Sequence, residues 1–325
     1  MRYLLVGNYG TGNLGDSALK DYFLSTFPEV QWAVLSARPS VGELPRFPLG
    51  LRSLIQTPWW KTVRALKESD GIVFGGGSLF TDSESIVACL LWGWHALLAR
   101  VFGKHILLAF QGIGPFRTHL GIFITKKVCS WADFISVRDE SSAALVALWK
   151  LNTISIQSFD PVFSLIQRQK HDGSTKKLLS IIPRATGTKA FQKRCRDLAS
   201  AYESVQILSL EPCSAREQRV CRHLQKHFGA SVPVIDIQSL TQLAEKIEGS
   251  AYVLSQRYHG ALAAIALGIP VEIIPQRPGD KLSALRVMAT EDHERSGTAC
   301  YLESLVRKGE EALRLAFRNC ALSEY

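Results

Sequence analysis

Short apolar segments alternate with segments of helical periodicity along almost the whole chain, and this alternation constrains the fold more than any other feature. Tyr3–Val6, for example, has the length and composition of a buried strand, whereas Ser17–Phe27 repeats its apolar residues at helical spacing. Strands separated by helices pair in parallel, because each helix carries the chain back along the sheet. The predicted strands are Tyr3–Val6, Trp32–Leu35, Gly71–Phe74, His105–Phe110, Phe134–Val137, Thr153–Gln157, Leu178–Ile182, Val205–Leu208, Val234–Ile235, Tyr252–Leu254 and Val271–Ile274. We therefore expect an α/β protein with parallel sheets flanked by helices.

The chain is long enough for two such sheets. Its 325 residues exceed what one hydrophobic core usually organises, and all seven tryptophans lie before position 150. A polar segment, Gln167–Lys177, separates two runs of predicted strands and is the candidate linker. We expect residues 1–168 and 177–300 to form two Rossmann-like domains that face a cleft, and residues 301–325 to form a helix that packs on the first domain.

The charge of the chain favours anionic partners, and its apolar runs are too short to span a membrane. The formal net charge is +9, which suits phosphates, acidic sugars, nucleic acids or lipid surfaces; a merely basic protein is the plain alternative. No run reaches about 18 uninterrupted apolar residues, and the N-terminus lacks the features of a signal peptide. Seven scattered cysteines without a C-x-x-C pair suit reduced thiols. These features predict a cytoplasmic protein.

The segment Gly10–Gly15 spells G-x-G-x-x-G, the fingerprint of dinucleotide-binding folds, but its surroundings do not fit that ligand. Two residues separate it from the preceding strand, and Asp16 would repel a pyrophosphate at the start of the helix. The second predicted strand ends without the acidic residue that holds a ribose. Arg38 in that place keeps an NADP site open, and a purely structural glycine turn is another alternative.

Two further glycine-bearing loops follow predicted strands of the first domain. Gly75–Ser78 follows Gly71–Phe74, and Gln111–Pro115 follows His105–Phe110. The carboxyl ends of parallel strands share one edge of a sheet, so the three loops together predict a binding floor there. Arg138, after another strand, either joins a surface ion pair at a helix start or points into the cleft. The predicted substrate-binding residues of this domain are Gly10, Gly12, Asn13, Asp16, Gly76, Gly77, Ser78, Gln111, Gly112 and Arg138.

The second domain carries basic side chains at corresponding places. Arg257 and His259 lie between the strand Tyr252–Leu254 and a helix of small residues, where backbone N–H groups favour an anion. Arg184 follows the first strand of this domain, and Lys281 follows the last. Arginine can clamp phosphate or carboxylate, and histidine can exchange a proton near neutral pH. We predict a catalytic site of His259, Arg257 and Arg184 with Lys281 binding substrate; a solvated basic rim is the alternative.

A metal site is not predicted. His223 and His227 lie one helical turn apart near Cys221, a spacing that can bind zinc, but no fourth ligand accompanies them.

Six segments, taken in order, resemble the polysaccharide pyruvyl transferase family. They are Gly7–Leu19, Gly75–Asp82, Gln111–Pro115, Ser136–Glu140, Phe159–Phe163 and Ser255–Pro270. The resemblance implies a GT-B-like fold and transfer of the pyruvyl unit of phosphoenolpyruvate to a sugar, with formation of a ketal. It also carries the family's Arg-x-His unit to Arg257 and His259, its first-strand arginine to Arg184, and a downstream lysine to Lys281.

The donor that this resemblance implies is phosphoenolpyruvate, with no cofactor, and the acceptor is a sugar of a cell-surface polysaccharide or of its precursor. His259 is then the candidate acid and base, while Arg184 and Arg257 hold the anionic groups. Nucleic acid is not an expected partner, because aromatic and basic residues do not interleave. A polyprenyl-linked acceptor and a homo-oligomer stay open. The apolar helix Ala88–Arg100 either contacts the inner face of the cell membrane or, as we expect more, is buried against the sheet.

Two other classes of function remain as alternatives. A GT-B glycosyltransferase would share the fold and use a nucleotide sugar, with Glu211 as the candidate ligand of the ribose. A non-catalytic sugar- or nucleic-acid-binding module would not need the combination of Arg184, Arg257 and His259.

Overall fold

The computed structural model divides the chain into two compact units. It describes residues 1–50, 55, 58–83, 85–166, 177–275, 281–283, 285–286 and 295–322. The first unit comprises Met1–Thr11, Asp16–Val162 and the chain from Glu303 onward, and the second comprises Gly12–Gly15 and Phe163–Leu302. The chain thus changes unit at Val162, a few residues before the predicted boundary at 168. Of the predicted linker at 167–177, only Lys177 lies among the described residues.

The first unit contains a seven-stranded parallel sheet in the order β3-β2-β1-β4-β5-β6-β7. Its interior is formed by apolar strands that bury both faces, as expected for a parallel sheet covered by helices. The strands are β1 (Arg2–Val6), β2 (Gln31–Ser36), β3 (Leu44–Pro45), β4 (Gly71–Phe80), β5 (His105–Ile113), β6 (Phe134–Val137) and β7 (Ser155–Gln157). The predicted strands of this half are all present, and the two-residue strand β3 is an addition to them.

Helices cover both faces of this sheet. Their bounds are α1 (Leu14–Thr26), α2 (Trp60–Lys67), α3 (Ile86–Val101), α4 (His119–Trp131) and α5 (Glu140–Leu148), followed by a 3-10 helix (Pro161–Leu165) and, from the end of the chain, α10 (Arg295–Leu322). Leu66, Trp92, Val128 and Val146 from α2 to α5 pack in one cluster with Leu4 of β1. These four helices therefore cover the same face of the sheet.

The opposite face of the sheet carries an aromatic cluster to which the last helix contributes. Tyr3, which points away from Leu4 because side chains alternate along a strand, lies 4.9 Å from Phe317 of α10, centroid to centroid. Phe317 also contacts the rings of Phe27 and Trp32. The hydroxyl of Tyr22 in α1 donates to Glu310 at 2.6 Å. The C-terminal helix therefore completes the core of the first unit.

The second unit has a five-stranded parallel sheet in the order β10-β9-β8-β11-β12. The strands are β8 (Leu178–Ile182), β9 (Ser204–Ser209), β10 (Val234–Asp236), β11 (Tyr252–Ser255) and β12 (Val271–Ile273). The helices are α6 (Lys189–Ala199), α7 (Ala215–Phe228), α8 (Leu240–Glu248) and α9 (Tyr258–Ala266). Leu179, Phe191, Cys221 and Leu254 belong to its hydrophobic core.

One buried histidine in α3 makes the first unit sensitive to acid. His95 is fully buried; its Nδ1 donates to the Leu91 carbonyl at 2.7 Å, and its Nε2 accepts from the Phe47 N–H at 3.1 Å. Burial lowers the pKa of His95 from 6.5 to about 4, although the hydrogen bond to Leu91 opposes this shift. The neutral imidazole is therefore the form that folding requires.

The stability of the first unit should fall as the pH drops from about 6.5 to about 4. The unfolded chain binds a proton to His95 below about pH 6.5, whereas the folded protein resists it until about pH 4. We expect the free energy of unfolding to lose about 3 kcal/mol from this group between about pH 7 and about pH 4, measured by urea titration. A His95→Gln variant should lack this part of the loss. An identical pH dependence in both proteins would contradict the assignment.

Candidate functional site

The basic residues predicted in the second unit lie at the carboxyl edge of its sheet. Arg184 follows β8, and Arg257 and His259 follow β11, the strand that pairs with β8. Glu211 follows β9, which pairs with β8 on the other side. Three neighbouring parallel strands thus deliver these side chains to one place, the edge at which open α/β sheets bind ligands.

Arg257 is held by two carboxylates. Its extended backbone forms the N-cap position of α9, and Ser255 Oγ accepts from its N–H at 3.1 Å. One guanidinium nitrogen donates to Glu211 at 2.8 Å, and another forms a short contact with Glu217. Burial acts to lower the pKa of Arg257, but the hydrogen bonds and charges of the two carboxylates outweigh it and raise that pKa. The guanidinium is therefore charged and fixed in orientation.

Glu217 is a residue of this site that our sequence analysis did not identify. Its side chain is wholly buried and accepts hydrogen bonds from Ser209 Oγ at 3.0 Å and from the Glu211 N–H at 2.8 Å, besides contacting Arg257. Ser214 caps the start of α7, so the spacing Ser214-x-x-Glu217 matches a capping box. That spacing is the local signal for a carboxylate at the helix start, but it does not predict that this carboxylate pairs with Arg257.

Arg184 and Lys281 act on the same carboxylate as Arg257. The pKa of Glu211 is lowered first by the hydrogen bond from Arg257; burial opposes this, and the charges of Arg257, Arg184 and Lys281 lower it further. The Lys281 ammonium lies 5.4 Å from the centroid of the Tyr258 ring. Three cations from separate parts of the second unit therefore act electrostatically on Glu211, while the triply basic site itself stays a prediction.

His259 lies in the first turn of α9, beside a glycine from the N-terminal part of the chain. A Cβ atom placed on Gly15 would overlap the His259 ring, so the glycine leaves the space that the imidazole occupies. The Nε2 atom of His259 is enclosed by the protein. Gly15 belongs to the short segment Gly12–Gly15 of the second unit. The last glycine of the G-x-G-x-x-G spelling is therefore packed against the predicted acid and base.

The other residues of this glycine loop shape the start of α1. Asn13 Oδ1 accepts from the Gly15 N–H at 2.9 Å, and Asp16 accepts from Asn8 at 2.9 Å. Gly10 has a φ of 74° and packs against Ser36 and the backbone of Arg38. Gly12 has a φ of 83° and open space at its Cβ position. The positive φ angles and the Asn cap explain the residue types at Gly10, Gly12 and Asn13.

The glycines predicted to follow β4 and β5 lie inside these strands, which corrects the interpretation of them as loops. β4 continues to Phe80 and β5 to Ile113, with irregular register after Gly77 and after Leu108. A Cβ at Gly76 would meet Leu19, and one at Gly112 would meet Ser78 and Arg138. These glycines make room for the protein's own side chains. Substrate binding by Gly76, Gly77 and Gly112 stays a prediction.

Gln111 and Arg138 are likewise engaged within the first unit. Gln111 is fully buried and donates to the carbonyls of Phe74 and Ala109 at 2.9 and 3.0 Å. Arg138 is neither in a surface ion pair nor exposed; its guanidinium pairs with buried Asp160 at 2.5 Å and donates to Ser78 at 2.7 Å. Two of the sequence segments, around Arg138 and Asp160, are thus joined by one buried ion pair.

The first unit also contains a cavity that the sequence did not indicate. Its volume is about 360 Å³, and it lies between the end of β2 and the start of α3. The Arg46 guanidinium, beside it, donates to the carbonyls of Gly7 and Tyr9 at 2.9 Å and lies 4.9 Å from the Trp92 ring centroid. The lining residues are Ser36, Ala37, Pro45, Arg46, Phe47, Pro48, Leu49, Ser85, Val87, Ala88 and Leu91.

Metal-binding clusters are absent from the described part of the chain: it contains no group of three His, Cys, Asp or Glu side chains that could hold an ion. Cys221 is buried in α7, whereas His223 and His227 are exposed.

The fold is shared with several solved structures that match almost the whole of this chain. HepE from Anabaena, solved with UDP-glucose, superposes with a TM-score of 0.58 at 10% identity over 100% of both chains. UDP-N-acetylglucosamine 2-epimerase from Rickettsia bellii gives a TM-score of 0.61 at 12% identity over 99% of this chain and 97% of that one. MurG from Acinetobacter baumannii gives 0.50 at 11% identity over 96% and 93%. The chain therefore has the GT-B-like fold, as predicted.

Sequence relationship is established at the level of the family. No curated protein matches the chain. The family model described as polysaccharide pyruvyl transferase matches residues 13–274, a range that begins in the glycine loop and contains Arg184, Arg257 and His259. Because this match covers most of the sequence, the chain belongs to the polysaccharide pyruvyl transferase family.

Proposed function

We propose that the protein transfers the pyruvyl group of phosphoenolpyruvate to a sugar of a cell-surface polysaccharide or of its lipid-linked precursor, forming a ketal and releasing phosphate. The observation that supports this most strongly is that Arg184, Arg257 and Lys281 all act electrostatically on Glu211, at the sheet edge where His259 follows β11. Phosphoenolpyruvate carries a phosphate and a carboxylate, and a donor of that charge requires several cations.

The two carboxylates at Arg257 have different parts in donor binding. Glu217 is wholly buried and keeps the guanidinium in place, whereas the Glu211 side chain is one-third exposed, at 33%. An incoming anion therefore competes with Glu211 for the Arg257 guanidinium. The positive charges of Arg184 and Lys281, which also act on Glu211, attract the anion to this place. Arg257 is oriented before the donor arrives, so that binding does not have to order a flexible side chain.

The proton transfers fall to His259. Protonation of the methylene carbon of phosphoenolpyruvate gives C2 oxocarbenium character, and a sugar hydroxyl attacks C2 while losing its proton. Cleavage of the C2–O bond expels phosphate, and a second hydroxyl attacks C2 and closes the ketal. Of the two protons lost by the hydroxyls, one balances the new methyl group and one leaves with phosphate. A single imidazole can donate the proton to the methylene carbon and then accept a proton from the attacking hydroxyl.

The second candidate is a glycosyltransferase that uses a nucleotide sugar. The fold shared with HepE, which was solved with UDP-glucose, favours it. Glu211, the residue we assigned to a ribose on that hypothesis, is instead hydrogen-bonded to Arg257 at 2.8 Å. The two functions differ in the donor consumed and in the product released.

Incubation of the full chain with phosphoenolpyruvate and glycan acceptors tests the proposal. We expect acceptor-dependent release of phosphate. We also expect Arg184→Ala to raise KM for the donor about 10- to 100-fold, because one charged hydrogen bond is lost. Arg222→Ala, on the exposed side of α7, is the matched control and should leave KM unchanged. Release of a nucleoside diphosphate from a nucleotide sugar, with phosphoenolpyruvate untouched, would establish the second candidate instead.

A further inference from the structure

Helix α3 is apolar on both of its faces. Its inner face buries Cys89, Trp92, His95, Ala96 and Ala99 against the sheet. The outer face of a surface helix is normally polar. Here it carries large apolar residues at spacings of three and four, namely Val87, Leu90, Trp94, Leu97 and Val101. Val101 is 70% exposed, so this is a surface and not a second core.

The apolar surface continues onto the neighbouring helix α4. The two helices approach closely at Gly93, where an added Cβ would lie 2.5 Å from Ile124. On the outside of α4, Leu120 and Phe123 are exposed, the latter by 65%. We call the seven exposed side chains Val87, Leu90, Trp94, Leu97, Val101, Leu120 and Phe123 the apolar patch. Contiguous apolar surface of this kind marks an interaction site.

The charged residues of the two helices that carry the apolar patch have one sign. The sequence from Ser85 to Ala132 contains no Asp or Glu, but five Lys and Arg residues. Three of them, Arg100, Lys126 and Lys127, are exposed on α3 and α4. Glu84 and Asp82 precede this range; of these two, Asp82 is described, is buried and accepts from the N–H groups of Arg117 and Thr118 at 2.5 and 2.8 Å. Helices α3 and α4 therefore combine exposed apolar side chains with basic residues and contain no acidic residue.

We propose that this apolar patch docks on an anionic lipid surface. Negative headgroups complement Arg100, Lys126 and Lys127, and a tryptophan among aliphatic residues suits the boundary between headgroups and acyl chains. A second copy of the chain fits less well, because a two-fold contact would bring the same positive groups together. Among the described helices, none is long and apolar enough to cross a bilayer, so the contact is peripheral.

The position of the cavity in the first unit agrees with docking through the apolar patch. Val87 belongs both to the apolar patch and to the lining of the 360 Å³ cavity in the first unit. A molecule that enters this cavity from the membrane surface would therefore pass along the patch.

Co-sedimentation of the full chain with vesicles tests the docking, without reference to turnover. We expect binding to phosphatidylcholine vesicles that contain phosphatidylglycerol, and much weaker binding to phosphatidylcholine alone. The Trp94→Gln/Phe123→Gln variant should bind at least about tenfold more weakly. Lys126→Gln/Lys127→Gln should lose about fivefold for each lysine and retain its fold, because both side chains are exposed.

Leu148→Gln is the matched control. Leu148 is an exposed apolar residue of the same unit, at 74%, but lies on α5 outside the apolar patch. Its replacement should not change vesicle binding. Equal binding to both kinds of vesicle, no binding to either, or full binding by the lysine variant would overturn the proposal. A second copy would be the occupant of the patch if two results came together. The wild type would form a dimer in light scattering that Trp94→Gln/Phe123→Gln dissociates, and neither protein would bind lipid.

Discussion

Replacing Gly15 by alanine should lower turnover about as much as removal of the His259 imidazole itself. A Cβ at this position overlaps the ring, and the neighbouring backbone belongs to the first turn of α1, so the ring has to move instead. Loss of a positioned acid and base costs about 10²- to 10⁴-fold in rate. We expect this loss in kcat for phosphate release from phosphoenolpyruvate, while KM for the donor changes little.

The double variant separates displacement of His259 from general damage. If Gly15→Ala acts only through the imidazole, then Gly15→Ala/His259→Ala should be no slower than His259→Ala alone. Gly42→Ala, in a turn outside the predicted site, is the matched control, because Gly42 also has a positive φ, at 87°. Its Cβ would meet nothing within 4 Å. The positive φ makes alanine there cost about 1 kcal/mol of stability, but kcat should be retained. Full turnover by Gly15→Ala would show that the reaction does not use His259 where it lies.

Breaking the ion pair between Arg138 and Asp160 should strongly destabilise the first unit. The two side chains are 3% and 0% exposed and 2.5 Å apart, and Arg138 also donates to Ser78. Arg138→Met leaves a buried carboxylate without its counter-charge. We expect the free energy of unfolding to fall by about 3–5 kcal/mol, measured by urea titration.

Two comparisons show whether the buried charge is the cause. Arg138→Met/Asp160→Asn removes both charges and should recover a good part of the loss, because the remaining groups are neutral. Arg64→Met breaks the exposed pair with Glu68, whose atoms lie 2.7 Å apart, and should leave the unfolding transition unchanged. If Arg138→Met unfolds at the same urea concentration as the wild type, the pair contributes nothing to stability.

The sequence was most informative where structure is decided locally. Each predicted strand is present because an apolar run of strand length between polar turns has few other solutions. The positions of Arg184, Arg257 and His259 at one sheet edge followed in turn from the parallel topology.

The sequence was least informative where partners are distant along the chain. Arg138 and Asp160 are 22 residues apart, and Arg257 and Glu211 are 46 apart. A basic residue after a strand looks the same whether it faces a ligand or a buried carboxylate, so the pairing of Arg257 could not be foreseen. The glycines of β4 were predicted to lie in a loop for a similar reason. A glycine makes room for a neighbouring side chain such as Leu19 as readily as for a ligand, and the sequence does not distinguish the two.

The position of α10 limits how this chain can be divided. Since Phe317 and Glu310 complete the core that begins with Tyr3, the first unit is a discontinuous body into which residues 163–302 are inserted. Truncation before Glu303 would strip a helix from that core and would not yield an autonomous N-terminal fragment. Exchange of the inserted unit between relatives consequently requires two splice points, one near Val162 and one near Glu303, and a single crossover would leave a hybrid whose last helix meets a foreign surface.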